Sequence, residues 1–584
     1  MRKITLLFGA LLVGLGNFAQ EVINVAPDYV NGGALNAAIT ANGSNKIYML
    51  EANGYYTLTA TIELLATNPG EGFVIEGAIP DDGEYMPVLQ TGLTGENTPF
   101  TYMFDVRADV SFKNIFIANN TSDGQTGGNV AQLNDKVRLE MDGCIVDPVG
   151  TTDFMKGNEF SDLSDVFLTN NQFLRQGNAF SPGGGHMIRN VFADTLYIEN
   201  NSFISTDHTI IREEAADKVS NFIWFNHNTV IWHDVGLMGN YDDPNQYVNN
   251  NLFEDLTNYV QLTAWNGDPD AGFGAYPTIK YVDTASVAGV NESLPSLRKI
   301  MWNRNAQYVS ESVKNIELAH GVNNPDEPLW LYPIEWNDET PKYFVTDWDT
   351  DNRGQDIIDN SRSLMFNTSD DFPDLVIANT WYDQNPNWVD PRVATHSIDV
   401  AESALWWYYN LNILTGDPVG EQPSQFWDVD GWAGTTAAFY PTVWPRWDGA
   451  YTNATLLTGS TAGFPIGDLN AFPEQKALWE ANQEAIMEHI LTMETNQVLS
   501  VEEIKILDES FRMYPNPTQD RFRIESKNTL SNVKIYTMLG QLVKVKEVDG
   551  SSANIDIENL AKGIYFVEVN YSKGIKITSK IIKD

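Results

Sequence analysis

The densest mixed cluster of chemically able side chains lies between residues 175 and 234. Asp207 and His208 are followed by Arg212, Glu213 and Glu214, then by Asp217 and Lys218. Upstream stand Arg175, the run Gly183-Gly184-Gly185-His186, and Arg189; downstream stand Trp232, His233 and Asp234. Glycoside hydrolysis needs two carboxylates roughly 5–9 Å apart, and Asp207, Glu213, Glu214, Asp217 and Asp234 could supply the pair. A binding site would instead use the same groups to hydrogen-bond sugar hydroxyls beside a stacking ring such as Trp232. A third reading is a set of solvated ion pairs on a loop, which contribute little.

Scarcity makes the basic members of this cluster informative. The chain has 584 residues, 36 Lys+Arg against 78 Asp+Glu, and a net charge of −42. Only 21 of the Lys and Arg residues fall between residues 20 and 504. A basic group in so acidic a region more often has a partner than a random surface lysine does. The overall field repels nucleic acid and anionic membranes. An acidic polysaccharide would need a local basic cleft or bridging Ca²⁺; an acidic surface also keeps a protein soluble in a salty medium. Asp347, Asp349 and Asp351 begin like a Ca²⁺ loop, although Gly354 comes late and Ile358 stands where the terminal acid belongs. Asp428-Val429-Asp430-Gly431 is a shorter version of the same pattern. No nucleophile elbow, phosphate-binding loop, zinc spacing or dinucleotide fingerprint occurs. The single cysteine, Cys144, excludes an internal disulfide, so packing and backbone hydrogen bonds must hold the fold.

A repeat must position the cluster. Aligned on Ile117, Cys144, Phe173, Phe203, Val230 and Phe253, the spacings are 27, 29, 30, 27 and 23 residues. Each unit reads apolar-x-apolar-x-x-Asn-x-apolar, and Ile300, Trp302, Asn305 and Gln307 repeat it after an insertion. A short strand, an Asn turn and a second short strand at this period describe one rung of a parallel β-helix. Asn tolerates the left-handed corner, and Asn171, Asn201, Asn228 and Asn251 predict a stacked column. The cluster then lies in turns of neighbouring rungs about 4.8 Å apart. Residues 33–39 read as an amphipathic helix capping the first rung, and 47–50, 55–58 and 73–77 as the first strands.

The cap, "ALNAAI", "YMLEANGYYTL" and the Asn-Asn-x-Phe rungs resemble the pectate-lyase-like right-handed β-helix superfamily over about residues 30–310. That resemblance implies a polysaccharide lyase or glycoside hydrolase, with non-catalytic glycan binders and adhesins as the alternative. In a lyase of this kind Arg212 or Lys218 would take the C5 proton, and Asp207 and Glu213, with His208 beside them, would hold Ca²⁺ or orient the base. Arg175, His186, Arg189 and Trp232 would line the substrate.

Residues 311–500 break the repeat. Eight of the 16 tryptophans fall within 379–450, Trp406 and Trp407 among them. They read as core packing of a loop-rich flank along the β-helix, or as stacking platforms for sugars. Residues 473–496 predict a helix with Ala477, Leu478, Ala481, Ala485, Ile486 and Ile490 on its inner face.

After a linker at 501–510, residues 511–584 change character. Residues 505–584 carry 13 Lys+Arg against 10 Asp+Glu. Phe522 and Ile524 alternate with Arg521, Arg523 and Glu525, the period of a half-exposed strand. Tyr514-Pro515-Asn516-Pro517, Val533-Lys534-Ile535-Tyr536, Leu539-Gly540-Gln541, Lys562-Gly563-Ile564-Tyr565-Phe566-Val567 and Lys580-Ile581-Ile582-Lys583 follow in order. This series resembles the C-terminal sorting domain of type IX secretion cargo. It implies a small antiparallel β-sandwich read by the secretion machinery, and a secreted or surface-attached passenger. The other end agrees: Arg2 and Lys3, an apolar run from Ile4 to Leu15, and Asn17-Phe18-Ala19 predict a signal peptide over 1–19. That run is too short to span a bilayer. The expected whole is an all-β, right-handed parallel β-helix (20–310) with a Trp-rich flank and one C-terminal helix, then the sorting domain, acting as a monomer without a transmembrane segment.

Overall fold

Three parallel sheets wrap one apolar core in the computed structural model of the chain. The first sheet has eleven strands, the second nine and the third seven. Each coil adds one strand to each sheet in turn. Lys46–Leu50, Tyr55–Thr57 and Ile62–Leu64 make the first full coil, and Ile223–Asn226, Thr229–Ile231 and Met238–Gly239 the seventh. Asn245–Asn249 with Leu252–Glu254, and Lys299–Asn303 with Ala306–Tyr308, extend the first two sheets. This is the parallel β-helix that the repeat predicts. The structure describes residues 20–254 except 82, 122–124, 126, 135, 148–152, 159–164, 175–186, 205, 207–209, 214–217, 232–237 and 240–244. It also describes 299–308, 310, 334–336, 343–345, 375–378, 384–389, 411–412, 417–418, 447–492, 512–537, 542–571 and 576–583.

From the strand Asp109–Lys113 onward, only two residues separate a first-sheet strand from the second-sheet strand that follows, and they divide the corner's work. The first takes the left-handed conformation: Asn170 (φ 59), Asn200 (φ 57), His227 (φ 51), Asn250 (φ 58) and Arg304 (φ 52), with Gly143 (φ 68) in an earlier coil. The second is the stacked Asn. Asn171 donates from its backbone N and from Nδ2 to Asn201 Oδ1, each at 3.0 Å. Asn201 does the same to Asn228, Asn228 to Asn251, and Asn251 to Asn305. Each Nδ2 also reaches a backbone carbonyl of the rung before, as Asn201 does to Leu168 at 2.9 Å. The sequence reading gave both tasks to one Asn; the left-handed residue is its predecessor.

Register corrects one anchor. Ile117 pairs with Val146, and Val110 with Leu139. The second repeat is therefore anchored at Val146, not Cys144. Cys144 occupies the Asn column, where its backbone N donates to Asn171 Oδ1 at 2.9 Å.

A helix at Ala34–Asn42 buries Leu35 and Ile39 at the N-terminal end of the core. It starts from Gly33 at φ 82, where a Cβ would stand 2.7 Å from Thr59 Oγ1. Part of the flank lies on the outward face of the second sheet. Val88, Phe116, Ala118, Ile145, Leu174, Ile204 and Ile231 form an apolar cluster with buried Trp447, and Trp388 packs against it. Gln172 fixes the Trp447 backbone from both sides, donating to its carbonyl at 2.8 Å and accepting from its N–H at 2.9 Å. Residues 466–471 continue along this face. Ser202 donates to Asp468 at 2.7 Å, and Gly467 donates to the Asn250 carbonyl at 2.8 Å. Gly467 has φ +86, and a Cβ there would meet Thr229 Oγ1 at 2.5 Å. Trp388 and Trp447 therefore do packing work.

A second compact unit contains Phe472–Asp584. Its helix, Pro473–Thr492, buries Trp479, Ile486, Met487 and Ile490. The inner face is thus rotated from the predicted one, and Leu478 is 48% exposed. Its five strands form one antiparallel sheet in which Arg521–Thr537 pairs with both Leu542–Asp556 and Gly563–Tyr571. Phe522, Ile524, Val533, Ile535, Ile555, Val567, Val569 and Ile581 fill its core. The last strand is anchored by Lys583, whose buried ammonium donates to the carbonyls of Ile557, Glu558 and Leu560 at 2.6–2.7 Å. No helix among the described residues is long and apolar enough to cross a membrane.

Candidate functional site: the outer face of the third sheet

The strands of the third sheet are short, and alternation fixes which way each residue faces. Ile62, Phe104, Ala131, Met155, Ile188 and Ile211 belong to the core cluster. Their successors in the chain therefore point outward. Register stacks those successors rung upon rung: Glu63 on Asp105, Asp105 on Gln132, Gln132 on Lys156, Lys156 on Arg189, Arg189 on Arg212, and Arg212 on Gly239. Three cations thus occupy consecutive rungs of one outward column, in a chain of net charge −42.

Each end of this column has its own support. Asp153 is buried and lies 3.5 Å from Arg189 Nη1. Glu213 follows Arg212 in the chain but is buried, and it accepts a hydrogen bond from Ser220 Oγ at 2.5 Å. Ser220 Oγ in turn accepts from the Ala193 N–H at 3.1 Å, which ties Glu213 to the preceding rung. Lys218 Nζ lies 5.8 Å from the centroid of the buried Phe192 ring. At the other end Arg107 bridges Glu63 at 3.3 Å and Asp105 at 2.8 Å.

In their later coils, the outward residues described on the other two sheets are buried. The second carries the Trp447 cluster. On the first, Phe167, Tyr197, Trp224 and Tyr247 stack rung on rung, all buried, and Trp224 Nε1 donates to Glu199 at 2.8 Å.

The structure thus puts Arg189 and Arg212 in register and Glu213 and Lys218 close by in the chain, with Glu213 turned away from solvent. Arg175, His186, Asp207, His208, Trp232, Trp406, Trp407, Asp347, Asp349 and Asp351 lie outside the described residues. Lys156 is the member that sequence reasoning missed. Only the register of the third sheet places it one rung before Arg189. Among the described residues no three carboxylate, imidazole or thiol side chains converge as a metal site. The described carboxylates beside the column, Asp153 and Glu213, are engaged by Arg189 and by Ser220.

Comparison with known proteins bears on the two units differently. Residues 512–584 match the family described as secretion system C-terminal sorting domain. The chain is therefore exported cargo carrying a sorting domain of the type IX system, secreted or attached to the cell surface. The chain is similar to a solved structure of a mutant of the PL6 family alginate lyase AlyGC, at 14% identity and a TM-score of 0.27, over 40% of this chain. That match spans about a third of the lyase, 34% of its length. A search of curated proteins returns no match.

Proposed function

We propose that the exported β-helix acts on an acidic polysaccharide at the outer face of the third sheet, as a lyase. The observation that carries this reading is the column Lys156, Arg189 and Arg212 on three consecutive rungs. Like charges one rung apart, about 4.8 Å, repel by about 3 kcal/mol at the effective dielectric of a protein surface. Asp153 offsets that repulsion beside Arg189; an anionic ligand would offset it along the whole column. The column also gives a negatively charged protein a local positive field, without which a polyanion would be turned away.

In the proposed reaction Lys156 and Arg189 neutralise the carboxylate of a uronate sugar, which acidifies its C5 proton. Arg212 or Lys218 takes that proton, and whichever does so must act in its uncharged form at that step, while Lys156 and Arg189 keep the carboxylate neutralised. The electron pair forms the C4–C5 double bond as the C4–O4 bond breaks, and a proton returns to the departing oxygen to leave a new chain end. Neutralisation and proton transfer are the two contributions such a site must make. Among the described residues hydrolysis has less support, because Asp153 and Glu213 are both buried and both engaged with neighbours.

The test is a panel of acidic and neutral polysaccharides, assayed for the ultraviolet absorbance of an unsaturated sugar and for reducing ends. Arg212→Ala should abolish turnover while binding persists, and Lys156→Ala should weaken binding. Loss of binding in these variants of a protein that cleaves nothing would make the face a binding module. Indifference of all substrates to all three cations would sink the reading.

A further inference from the structure

The outward column of the third sheet is not basic throughout. Glu63 and Asp105 precede Gln132, and only then come Lys156, Arg189 and Arg212. Its charge therefore reverses sign along the solenoid axis, with one neutral rung between the halves. We infer that the face holds an anionic glycan in a single window of three rungs, bounded on the N-terminal side by Asp105 and Glu63, so that it discriminates by chain length. This rests on the reading of the face as a site for an acidic polysaccharide.

The physical argument starts from spacing. A pyranose ring is about as long as one rung, so a glycan lying along the axis brings roughly one sugar beside each outward side chain. Three sugars then face cations and a fourth faces Gln132. A fifth faces Asp105 and a sixth faces Glu63. Asp105 is two rungs from Lys156, about 10 Å, which is one screening length at 0.1 M salt. The acids therefore leave the basic window intact while opposing any carboxylate placed over their own rungs. Arg107 does not remove this opposition. It bridges both acids at 3.3 and 2.8 Å, and the trio keeps one net negative charge. Asn134 Nδ2 also donates to Asp105 Oδ1 at 2.8 Å, which holds the carboxylate in place. Glu63 keeps 54% of its side chain exposed and stands at the outer limit of the boundary.

The test uses the full chain and size-defined oligomers of galacturonate, guluronate and mannuronate, from dimer to hexamer, titrated calorimetrically. Affinity should rise roughly tenfold per sugar up to the trimer, the worth of one charge-assisted contact. Beyond the trimer it should change less than about twofold. Gln132→Lys adds a fourth cation and should move the plateau to the tetramer. Glu63→Lys alters an exposed side chain, so the fold should survive; it should tighten the hexamer by about tenfold and leave the trimer unchanged. Affinity that keeps climbing from trimer to hexamer in the wild type overturns the inference. So does a plateau that neither variant moves. Failure of all three series to bind at any length overturns the acidic-glycan reading itself, and this inference with it.

Discussion

Asn201→Leu isolates the stacked column, because leucine has a similar volume and leaves little cavity. Asn201 Oδ1 accepts from the Asn171 backbone N and from Asn171 Nδ2, each at 3.0 Å. Its own Nδ2 donates to the Leu168 carbonyl at 2.9 Å and to Asn228 Oδ1 at 3.0 Å. The substitution therefore deprives two buried donors on Asn171 of their acceptor, and the next rung loses a donor. An unsatisfied buried polar group costs roughly 1–3 kcal/mol, so two orphaned donors predict a loss of roughly 2–6 kcal/mol. That is a large fraction of the roughly 5–15 kcal/mol that typically holds a domain together. Asn42→Leu is the control: Asn42 is exposed and makes one bond, from Nδ2 to the Ala38 carbonyl at 2.8 Å. Away from buried features such a change stays within about 0.5 kcal/mol. Urea unfolding of the two variants, with unchanged denaturant slope, measures the difference. If Asn201→Leu falls within about 1 kcal/mol of the control, the column is not a mutually satisfied network and the reasoning fails.

Burial lowers the pKa of His227 to about 3, while its contact with the Gly467 carbonyl acts in the opposite direction. The unfolded chain binds the proton first, near pH 6.5, so stability is intact above that pH and falls as pH drops towards 3. At pH 5 the deficit should be about 2 kcal/mol. His227→Asn, which keeps the corner residue of neighbouring coils, should remove the slope; parallel wild-type and variant profiles would contradict this. Lys583→Met removes an ammonium that donates to three carbonyls, and should lower the stability of the sorting domain by about 3 kcal/mol or more. A melt unchanged by Lys583→Met rejects that anchor. Trp447→Ala should destabilise the passenger by about 3–5 kcal/mol and leave glycan binding unaltered, since Trp447 sits on a different sheet; altered binding at retained stability would reassign it. Deleting 512–584 should abolish export and leave the passenger folded, so a truncated chain that still reaches the medium refutes the address.

The period of the coils and the Asn column are legible in the sequence because both are local and repeat in register. The slip at Cys144 has a definite cause. A shift of two residues preserves the inward and outward alternation, and Asp142 offered a polar residue where Asn was expected. The helix at Pro473–Thr492 was legible in extent but not in orientation, because alanines at 477, 481 and 485 fit a periodic stripe as well as Trp479 and Met487 do. Lys156 escaped for a different reason. Third-sheet strands are two to five residues long and separated by loops of unequal length, so no period aligns Lys156 with Arg189 and Arg212. Register alone brings them together.

The account stands most directly on one comparison: turnover and binding of acidic polysaccharides by the wild type and by a variant with Lys156, Arg189 and Arg212 all replaced by glutamine. Glutamine keeps most of each side chain's length and a polar end while removing its charge. The account predicts that the wild type releases unsaturated ends from an acidic polymer, and that the triple variant folds but neither binds nor cleaves it. A triple variant that matches the wild type on the same polymer would contradict it.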